Sequence, residues 1–259
     1  MITSSANAQM KYISLLQRKA SARKEDQAFV VEGVRLFSEV PRPLLLKTYV
    51  SERFRKEEIG KYKELFEGIS YEVVADSVFT AACDTQTPQG VLAIVRMPEA
   101  LAASDVKDGL YLILDGVADP GNLGTIFRTA EAAGVSEILM SADTVDLYNP
   151  KVVRSTMGSI FRMPHRVCSD IPKKIGKMQK DGIRCFVTCL AESEDYTKVS
   201  YRGATAIVIG NEAHGVSEAV LNACDQHIRI PMDGSIESLN AAIACAVVLF
   251  EAARQRRGQ

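Results

Sequence analysis

Residues 206–217 (AIVIGNEAHGVS), followed by residues 228–251 (IRIPMDGSIESLNAAIACAVVLFE), decide the fold of this chain. Each part starts with a short apolar run that is typical of a buried strand, continues through a polar loop that contains glycine, and ends in a helix. The second helix is predicted to begin at Ser238-Leu239-Asn240. In open α/β sheets, ligands bind at loops that follow the carboxyl ends of parallel strands. We therefore expect both loops to line one binding site.

The composition is that of an ordinary globular protein. The chain has 259 residues, of which 47% are hydrophobic and 24% charged, with a formal net charge of −1. Its length predicts one or two domains. Nucleic-acid-binding proteins often carry a basic excess, and the whole chain has none. Lysine and arginine are concentrated near residues 11–24, 53–56 and 254–257. These groups are either solvated faces or local contacts to phosphate.

Neither a membrane span nor a signal peptide is predicted. No apolar run approaches the roughly 18 to 20 residues that a bilayer span needs, and the N-terminus has no continuous apolar core. The six cysteines are scattered, and Cys185 and Cys189 do not have the spacing of a metal finger. Reduced, buried cysteines are typical of cytoplasmic proteins. We therefore predict a cytoplasmic protein that has no metal site and no membrane partner.

The hydrophobic pattern predicts two α/β units. Residues 1–97 form a small module, residues 98–109 (PEALAASDVKDG) are a polar linker, and residues 110–259 form the second domain. Because strands and helices alternate in the second domain, we expect a parallel sheet with helices on both faces. In the first unit, helices are predicted over residues 11–19, 33–40 and 57–67, and strands over residues 29–31, 44–50, 71–74 and 91–95.

A third informative segment is residues 115–134 (DGVADPGNLGTIFRTAEAAG), which follows a predicted buried strand. One interpretation is a dinucleotide-binding turn, since glycines follow the strand and Asp143 ends the next one. The glycine spacing differs from G-x-G-x-x-G, however, and Pro120 stands where that turn needs a close-approaching backbone. The other interpretation is that Asn122 caps a helix from whose polar side Arg128 projects. By itself, Arg128 is either a surface residue or a ligand contact.

The two decisive loops also have more than one interpretation. Gly210 lets the backbone approach a ligand closely because it has no Cβ. Asn211 and Glu212 form either part of such a site or a turn that hydrogen-bonds its own backbone. In the last segment, Ser238 can cap the final helix through its hydroxyl, and the alanines that follow indicate close packing on the sheet.

Taken together, the three segments resemble the SPOUT-class RNA 2′-O-ribose methyltransferases of the SpoU/TrmH type. The first motif is N-L-G-x-x-x-R, which runs from Asn122 to Arg128. The second is G-N-E-x-x-G, which begins at Gly210, and the third is I-P-M followed by S-L-N-x-A, which begins at Ile230. Three such motifs in this order are unlikely to arise by chance.

Weaker similarities extend the resemblance to nearly the whole chain. Residues 148–164 resemble the segment between the first two motifs, which faces RNA in the family. Residues 29–35 and 87–90 resemble the family's small substrate-binding domain, which is similar to an RNA-binding ribosomal protein. The resemblance and the clustered positive charges predict RNA contacts at Arg23, Lys24, Arg35, Arg128, Arg154 and Arg162.

The resemblance implies a fold that the sequence pattern does not. The catalytic domain would be a parallel-sheet α/β domain whose C-terminal part forms a trefoil knot, although knots are nearly absent from folds in general. It would act as a homodimer and use S-adenosylmethionine as methyl donor without a metal. The residues that the resemblance places at the donor are Thr188, Leu190, Gly210, Asn211, Glu212, Gly215, Ile230, Met232, Ser238 and Leu239.

The implied reaction is methyl transfer to a ribose 2′-hydroxyl of RNA. The catalytic residues implied by the family are Asn122, Arg128, Glu212, Ser238 and Asn240. A guanidinium is a poor base at neutral pH, so Arg128 is expected to grip the adjacent phosphate and orient the hydroxyl. The extra N-terminal domain favours ribosomal RNA as substrate, and neither DNA nor a membrane is expected as a partner.

Other functions stay open at this point. The chain could methylate tRNA instead, or it could be an RNA-binding protein that keeps this fold without turnover. The first motif fits a base-methylating SPOUT enzyme less well than it fits a ribose methyltransferase. The glycine spacing argues against a nicotinamide-dependent oxidoreductase.

Overall fold

A computed structural model of the chain describes residues 1–99 and 108–258. The chain folds into two compact units. Unit 1 consists of Met1–Glu99 and Asp146–Phe161, and unit 2 contains the described parts of residues 100–145 and 162–259. Most of the predicted linker, residues 100–107, lies outside the described residues. The predicted second domain spans residues 110–259, whereas Asp146–Phe161 folds with the N-terminal unit.

Helices and strands alternate along most of the chain. In chain order the α-helices are α1 (Ala8–Arg18), α2 (Ala20–Asp26), α3 (Val34–Phe37), α4 (Glu52–Glu57), α5 (Lys63–Phe66), α6 (Asp76–Ala82), α7 (Pro120–Ala133), α8 (Pro150–Thr156), α9 (Ile171–Lys180), α10 (Glu218–Ala223) and α11 (Ala241–Arg257). The strands are β1 (Ala28–Glu32), β2 (Leu45–Ser51), β3 (Glu72–Val74), β4 (Val91–Arg96), β5 (Leu110–Asp115), β6 (Glu137–Ser141), β7 (His165–Cys168), β8 (Arg184–Thr188), β9 (Glu194–Asp195), β10 (Thr205–Gly210) and β11 (Gln226–Arg229). Short 3₁₀ turns cover Arg42–Leu44, Ile59–Tyr62 and Ser159–Phe161.

Unit 1 is built on a mixed sheet with the strand order β1-β4-β2-β3. β4 pairs antiparallel with β1 and β2, while β2 pairs parallel with β3. Ile13, Leu16 and Phe79 pack from α1 and α6 into the core on this sheet. Their burial removes apolar surface from water, which is the main favourable term in folding. The four predicted strands of this unit are confirmed to within one or two residues at each end.

The predicted helix over residues 57–67 is not one continuous α-helix. Its region is divided into the end of α4, a 3₁₀ turn at Ile59–Tyr62, and α5. The hydroxyl of Ser51 accepts a hydrogen bond from the backbone N–H of Phe54 at 3.1 Å, which starts α4 earlier. Gly60 lies within the 3₁₀ turn that follows α4, and its low helix propensity disfavours a continuous α-helix there.

Asp146–Phe161 completes unit 1 through a buried ion pair and aromatic contacts. Nε of Arg23 donates to Oδ2 of Asp146 at 3.0 Å, and the Arg23 side chain is only 4% exposed. The Phe29 ring lies 4.9 Å from that of Tyr148 and 6.0 Å from that of Phe161. A charge is buried at low cost only when it is paired, so Arg23 requires this segment.

Unit 2 contains the predicted parallel sheet. Its described strands run in the order β7-β6-β5-β10-β8-β11-β9, and every pairing is parallel. β10 therefore lies beside β5 in the sheet, although β6, β7, β8 and β9 come between them in the sequence. α7 packs against α11, and α9 packs against α10. Among the helices of residues 1–99 and 108–258, none has the length and apolar character that a bilayer span requires.

Candidate functional site

The carboxyl ends of four neighbouring strands carry the three motif segments. β5 leads into the first motif, β10 into the second, and β11 into the third. β8 lies between β10 and β11, and its last residue is Thr188. Because parallel strands end at the same edge of a sheet, segments more than 100 residues apart in sequence meet there. The structure thus confirms one shared edge for the predicted loops.

Glu212 joins the second motif to the first. One oxygen of its carboxylate, Oε2, accepts from the backbone N–H of Ala118 at 3.0 Å. The other, Oε1, accepts from the N–H of Asp119 at 3.2 Å and from Nδ2 of Asn122 at 2.8 Å. Partial burial works to raise the pKa of Glu212, but the hydrogen bonds that it accepts outweigh burial and hold the pKa below its usual value. Glu212 is therefore an anionic anchor rather than a proton donor at neutral pH.

Asn122 links Glu212 to the third motif. While its Nδ2 donates to Glu212, its Oδ1 accepts from Nδ2 of Asn240 at 2.9 Å. Oδ1 of Asn240 in turn accepts from the backbone N–H groups of Ala242 at 2.9 Å and Ile243 at 3.3 Å. Each amide thus has both ends engaged, which fixes its orientation. The three predicted catalytic residues Asn122, Glu212 and Asn240 form one continuous network.

Both predicted helix caps are displaced in the structure. α7 begins at Pro120, and Oδ1 of Asp119 rather than Asn122 caps it by accepting from the N–H of Asn122 at 2.8 Å. α11 begins at Ala241, with Asn240 rather than Ser238 as its cap. The Asp-Pro pair is a typical helix start that the sequence analysis missed. Because Asp119 caps α7, the side chain of Asn122 can form hydrogen bonds with Glu212 and Asn240.

The loop of the second motif is a closed turn. Asn211 and Gly215 exchange two backbone hydrogen bonds of 2.9 Å, and Oδ1 of Asn211 accepts from the N–H of Ala213 at 2.8 Å. A Cβ on Gly210 would lie 2.3 Å from the carbonyl carbon of Gly215. Only glycine fits there, and the reason lies in the loop itself. Of the two interpretations of Asn211, the turn that hydrogen-bonds its own backbone is present, while a contact to the methyl donor stays a prediction; Nδ2 of Asn211 also donates to the carbonyl of Gly116 at 2.7 Å.

Two further polar residues, absent from the sequence prediction, hold the loops together. Oδ2 of Asp115 accepts from the N–H of Ser217 at 2.7 Å, which ties the first motif to the end of the second. Oγ of Ser141 accepts from the N–H of Gly116 at 2.8 Å. The signal for Asp115 was its place directly after an apolar strand, where polar side chains at the sheet edge are common.

The residues assigned to the methyl donor lie on the loops of this edge. Oγ1 of Thr188 donates to the carbonyl of Val208 at 3.1 Å, which joins β8 to β10. The side chain of Leu190 after β8 is 62% exposed, and that of Ile236 after β11 is 60% exposed. Ile230, Met232 and Leu239 are half-buried, while Ser238 is exposed. An adenosine binds where apolar side chains cover the faces of its base and where backbone N–H and C=O groups bond to the edge of the base. The exposed apolar side chains and the loop backbone at this edge provide both kinds of contact. S-adenosylmethionine therefore fits the residues present.

Arg128 lies on α7 beyond Asn122, separated from it by about 9 Å along the helix axis. Its side chain is exposed, and it makes no hydrogen bond or ion pair with another residue of the described chain. Arg128 and Gly121 are seven residues apart, which is about two helical turns, so the two residues lie on the same face of α7. A free guanidinium on the helix that carries Asn122 can bind an anion, such as a phosphate, with two parallel hydrogen bonds.

The other predicted RNA contacts differ in how available they are. Arg23 is buried in its pair with Asp146, which favours a structural role over an RNA contact. Arg154 pairs with Asp84 at 2.7 Å, and Arg162 donates to Glu131 at 3.2 Å. Lys24 and Arg35 are exposed. All of these assignments stay predictions. No group of three metal-ligating side chains was found among residues 1–99 and 108–258.

Comparison with known proteins is consistent with this geometry. Residues 109–250 match the family model "SpoU rRNA Methylase family", and residues 7–93 match "MRM3-like substrate binding domain". The chain is 33% identical over 249 residues to the 23S rRNA (guanosine(2553)-2′-O)-methyltransferase RlmP of Bacillus subtilis, an alignment that covers 96% of this chain and 97% of the relative.

Two solved structures are similar over nearly the full length. The SpoU methyltransferase AviRb from Streptomyces viridochromogenes, in complex with AdoMet, superposes with a TM-score of 0.84 at 28% identity and covers 96% of this chain and 98% of its own. The AdoMet-bound rRNA methyltransferase from Sinorhizobium meliloti gives a TM-score of 0.81 at 31% identity, with 98% and 97% covered. The motif segments are joined at one sheet edge, and the family model matches more than half of this chain. This chain therefore belongs to the SpoU rRNA methylase family.

Proposed function

We propose that this chain is an enzyme that methylates a ribose 2′-hydroxyl of ribosomal RNA with S-adenosylmethionine as donor. The observation that carries the proposal is the network Glu212–Asn122–Asn240, which joins all three motif segments at the sheet edge. Ribosomal RNA is favoured because the similarity to RlmP, a 23S rRNA methyltransferase, extends over both units. AdoMet-bound relatives of the same fold support the donor.

The loops after β8, β10 and β11 are proposed to hold the donor. When bound, S-adenosylmethionine supplies a methyl group that its positive sulfonium already activates. Leu190 and Ile236 would cover its apolar part, and the backbone near Ile230, Met232 and Leu239 would bind its polar edge. Gly210, Asn211, Glu212 and Gly215 keep the middle loop closed beside it.

The remaining residues act on the RNA. Arg128 binds the phosphate next to the reacting ribose and so orients the 2′-hydroxyl, whose proton passes to a phosphate oxygen. Ser238 and Asn240 approach the ribose from the start of α11. Positioning of this kind can lower a barrier by about 7 to 11 kcal/mol in the best cases. Glu212 and Asn122 hold the loops in register rather than touch the reacting atoms.

The assembly and location belong to the same proposal. We propose residues 1–97 as the RNA substrate-binding domain, residues 98–109 as the linker, and residues 110–259 as the catalytic domain. The catalytic domain forms a homodimer and carries a C-terminal trefoil knot, which the chain trace of a crystal structure would check. Ile243 and Phe250 on α11 are 51% and 46% exposed and offer an apolar dimer surface. A substrate in ribosomal RNA implies a cytoplasmic location.

The experiment that tests the proposal measures transfer of a labelled methyl group. Total rRNA and tRNA from cells that lack the protein are incubated with labelled S-adenosylmethionine, and the RNA is digested to nucleosides. Label in a 2′-O-methylnucleoside of rRNA is the expected result. Label in tRNA alone would support the tRNA alternative. RNA binding without donor binding or transfer would make the chain a non-catalytic RNA-binding protein, and a reaction without protein is the blank.

A further inference from the structure

Unit 1 contains a cavity of about 550 Å³ that none of the proposed catalytic or donor-binding residues lines. It opens between the start of α3, the start of α4 and the loop before β4. The lining residues that matter for its chemistry are Arg35, Arg53, Tyr62 and Gln89. Its size is in the range of small-molecule sites, and it combines aromatic, cationic and amide groups.

The wall of the cavity is rigid. Gly90 has φ +88°, and a Cβ at this position would lie 2.6 Å from Cβ of Phe54 and 2.9 Å from Oγ of Ser51. Any other residue would push α4 away from the loop before β4. Phe54 is only 3% exposed and forms the apolar floor next to this glycine. The shape of the cavity therefore depends on the close contact between Gly90 and α4, and a larger residue at position 90 could not be accommodated by moving side chains alone.

Tyr62 supplies a flat aromatic surface at the cavity. Its ring is nearly parallel to that of Phe54, with an interplanar angle of 17° and 5.9 Å between centroids. Phe54 is buried, whereas Tyr62 is 36% exposed. A ring that is held parallel to a buried one and remains open to solvent is a suitable surface for a stacked base.

Gln89 supplies a hydrogen-bond donor in a fixed orientation. Its Oε1 accepts from the backbone N–H of Val34 at 3.0 Å, which determines where the Nε2 group lies. Nε2 makes no hydrogen bond with another residue of the described chain. Two N–H donors are therefore left at the cavity for an acceptor, such as the carbonyl oxygen of a nucleobase.

Two arginines and one glutamate supply the charged groups of the cavity lining. Arg35 is exposed and has no ion pair with another described residue. Arg53 pairs with Glu57 at 3.0 Å, but its side chain is 77% exposed, and such surface pairs are easily exchanged. Glu58 is the acidic residue that lines the cavity, and Lys61 pairs with it at 2.7 Å. A phosphate can therefore be bound beside the aromatic surface.

We propose that this cavity binds one unpaired nucleotide of the RNA substrate. The base stacks on Tyr62, the amide of Gln89 donates to a base carbonyl, and Arg35 and Arg53 bind the adjoining phosphates. Sequence-dependent RNA recognition usually acts on unstacked bases in loops, which expose both a ring face and polar edges. The inference rests on the proposed function, since it specifies which feature of the RNA unit 1 recognises.

The test uses the full chain and a fluorescein-labelled single-stranded RNA of about 12 nucleotides, with a duplex of equal length for comparison. Fluorescence anisotropy at one fixed salt concentration gives both dissociation constants. Tyr62→Ala and Gln89→Glu are expected to weaken single-strand binding at least about tenfold, in the range for loss of one stacked base. Gln89→Glu keeps the oxygen that Val34 binds, so the loop should remain folded. Tyr62→Phe keeps the ring, and Lys177→Gln removes an exposed positive charge on α9 that lies outside the three basic clusters; both should bind like the unchanged protein.

The inference is overturned if Tyr62→Ala and Gln89→Glu bind the single strand with unchanged affinity, or if the unchanged protein does not prefer the single strand to the duplex. Calorimetric binding of S-adenosylmethionine and methyl transfer to rRNA are measured on the same variants. If the unchanged protein transfers no methyl group while the cavity variants still lose RNA affinity, the proposed function fails and the cavity inference stands. If transfer occurs and the cavity variants keep their affinity and their KM for RNA, only the cavity inference fails.

Discussion

Oδ1 of Asn122 accepts a hydrogen bond of 2.9 Å from Nδ2 of Asn240, although 118 residues separate the two in sequence. The bond joins the first turn of α7 to the cap of α11. Since Nδ2 of Asn122 donates to Glu212 at the same time, a single side chain sets the spacing of all three motif segments.

Loss of this side chain should impair activity more than stability. Asn122→Ala removes the bridge, but Asp119 still caps α7, so the helix remains intact. We expect kcat to fall by about 10²-fold, because small displacements of reacting groups have effects of this size. The measurement is single-turnover methyl transfer together with thermal unfolding. Thr125→Ala, an exposed change on the same helix, is the control. Wild-type kcat in Asn122→Ala would remove the bridge from the mechanism.

Glu212 should make stability depend on pH in the acidic range. Its pKa is lowered in the folded protein, so its contribution to stability is complete above the unfolded glutamate pKa of about 4.3 and is lost as the pH falls through the lowered folded value. Glu212→Gln should therefore be less stable than the unchanged protein at pH 7. The difference should shrink as the pH falls through and below the folded pKa.

Urea unfolding over this pH range checks that prediction. Glu237→Gln removes one negative charge from an exposed loop position and is the matched control. A stability difference for Glu212→Gln that stays constant from neutral to acidic pH would contradict the assignment of Glu212 as an ionised anchor.

Methyl transfer to RNA should require the planar guanidinium of Arg128. Arg128→Lys keeps the positive charge but loses the paired hydrogen bonds to phosphate, so kcat/KM for RNA should fall at least about tenfold. The affinity for S-adenosylmethionine should stay unchanged, which calorimetry can measure. Arg202→Lys changes another exposed arginine of unit 2 and should be neutral. Full activity of Arg128→Lys would show that charge alone is sufficient.

The apolar face of α11 should determine the oligomeric state. Ile243, Val247 and Phe250 follow one another at helical spacing, and the first and last are about half exposed. Ile243→Glu would bury a charge at the proposed dimer surface, which is unfavourable. Sedimentation velocity should then show a monomer where the unchanged protein is a dimer. Val167→Glu, at an apolar position on β7 that is 64% exposed, should remain dimeric. A monomeric unchanged protein would refute the prediction directly.

The ion pair of Arg23 and Asp146 should be important for unit 1. Asp146→Ala leaves a guanidinium that is 4% exposed without its partner, and breaking a buried pair costs about 3 to 5 kcal/mol in free energy of unfolding. Chemical denaturation measures the change. Lys61→Ala breaks an exposed pair on the same unit and should have a much smaller effect. An equally small effect for Asp146→Ala would show that the segment Asp146–Phe161 is not held by this contact.

The parallel sheet and the position of its site could be predicted from the sequence because both depend on local patterns. The apolar run at residues 207–209 lies in β10 and the run at residues 111–114 lies in β5, whereas the short segment before the third loop, residues 228–230, only overlaps β11 and includes Arg229. Continuous apolar runs of this length occur where a strand is buried on both faces. Since parallel strands end at one edge, the meeting of the three loops followed from the strand assignment alone.

The helix caps could not be predicted in the same way. Asp119 and Asn122 are both suitable caps for α7, and Ser238 and Asn240 are both suitable for α11. The local sequence does not distinguish between them. Asn122 is excluded as a cap in the folded protein because its amide bridges Glu212 and Asn240, which come from remote parts of the chain.

By itself, therefore, the sequence determined the strands, the order of the motif segments and the residue types at the sheet edge, since apolar periodicity and turn chemistry are local properties. Tertiary structure decided which of those side chains bond to one another, and it decided that Asp146–Phe161 belongs to unit 1. The physical reason is that a buried arginine needs its counter-ion and a polar side chain at a crowded edge needs its partner. In this protein those partners are far apart along the chain, so only the folded chain brings them together.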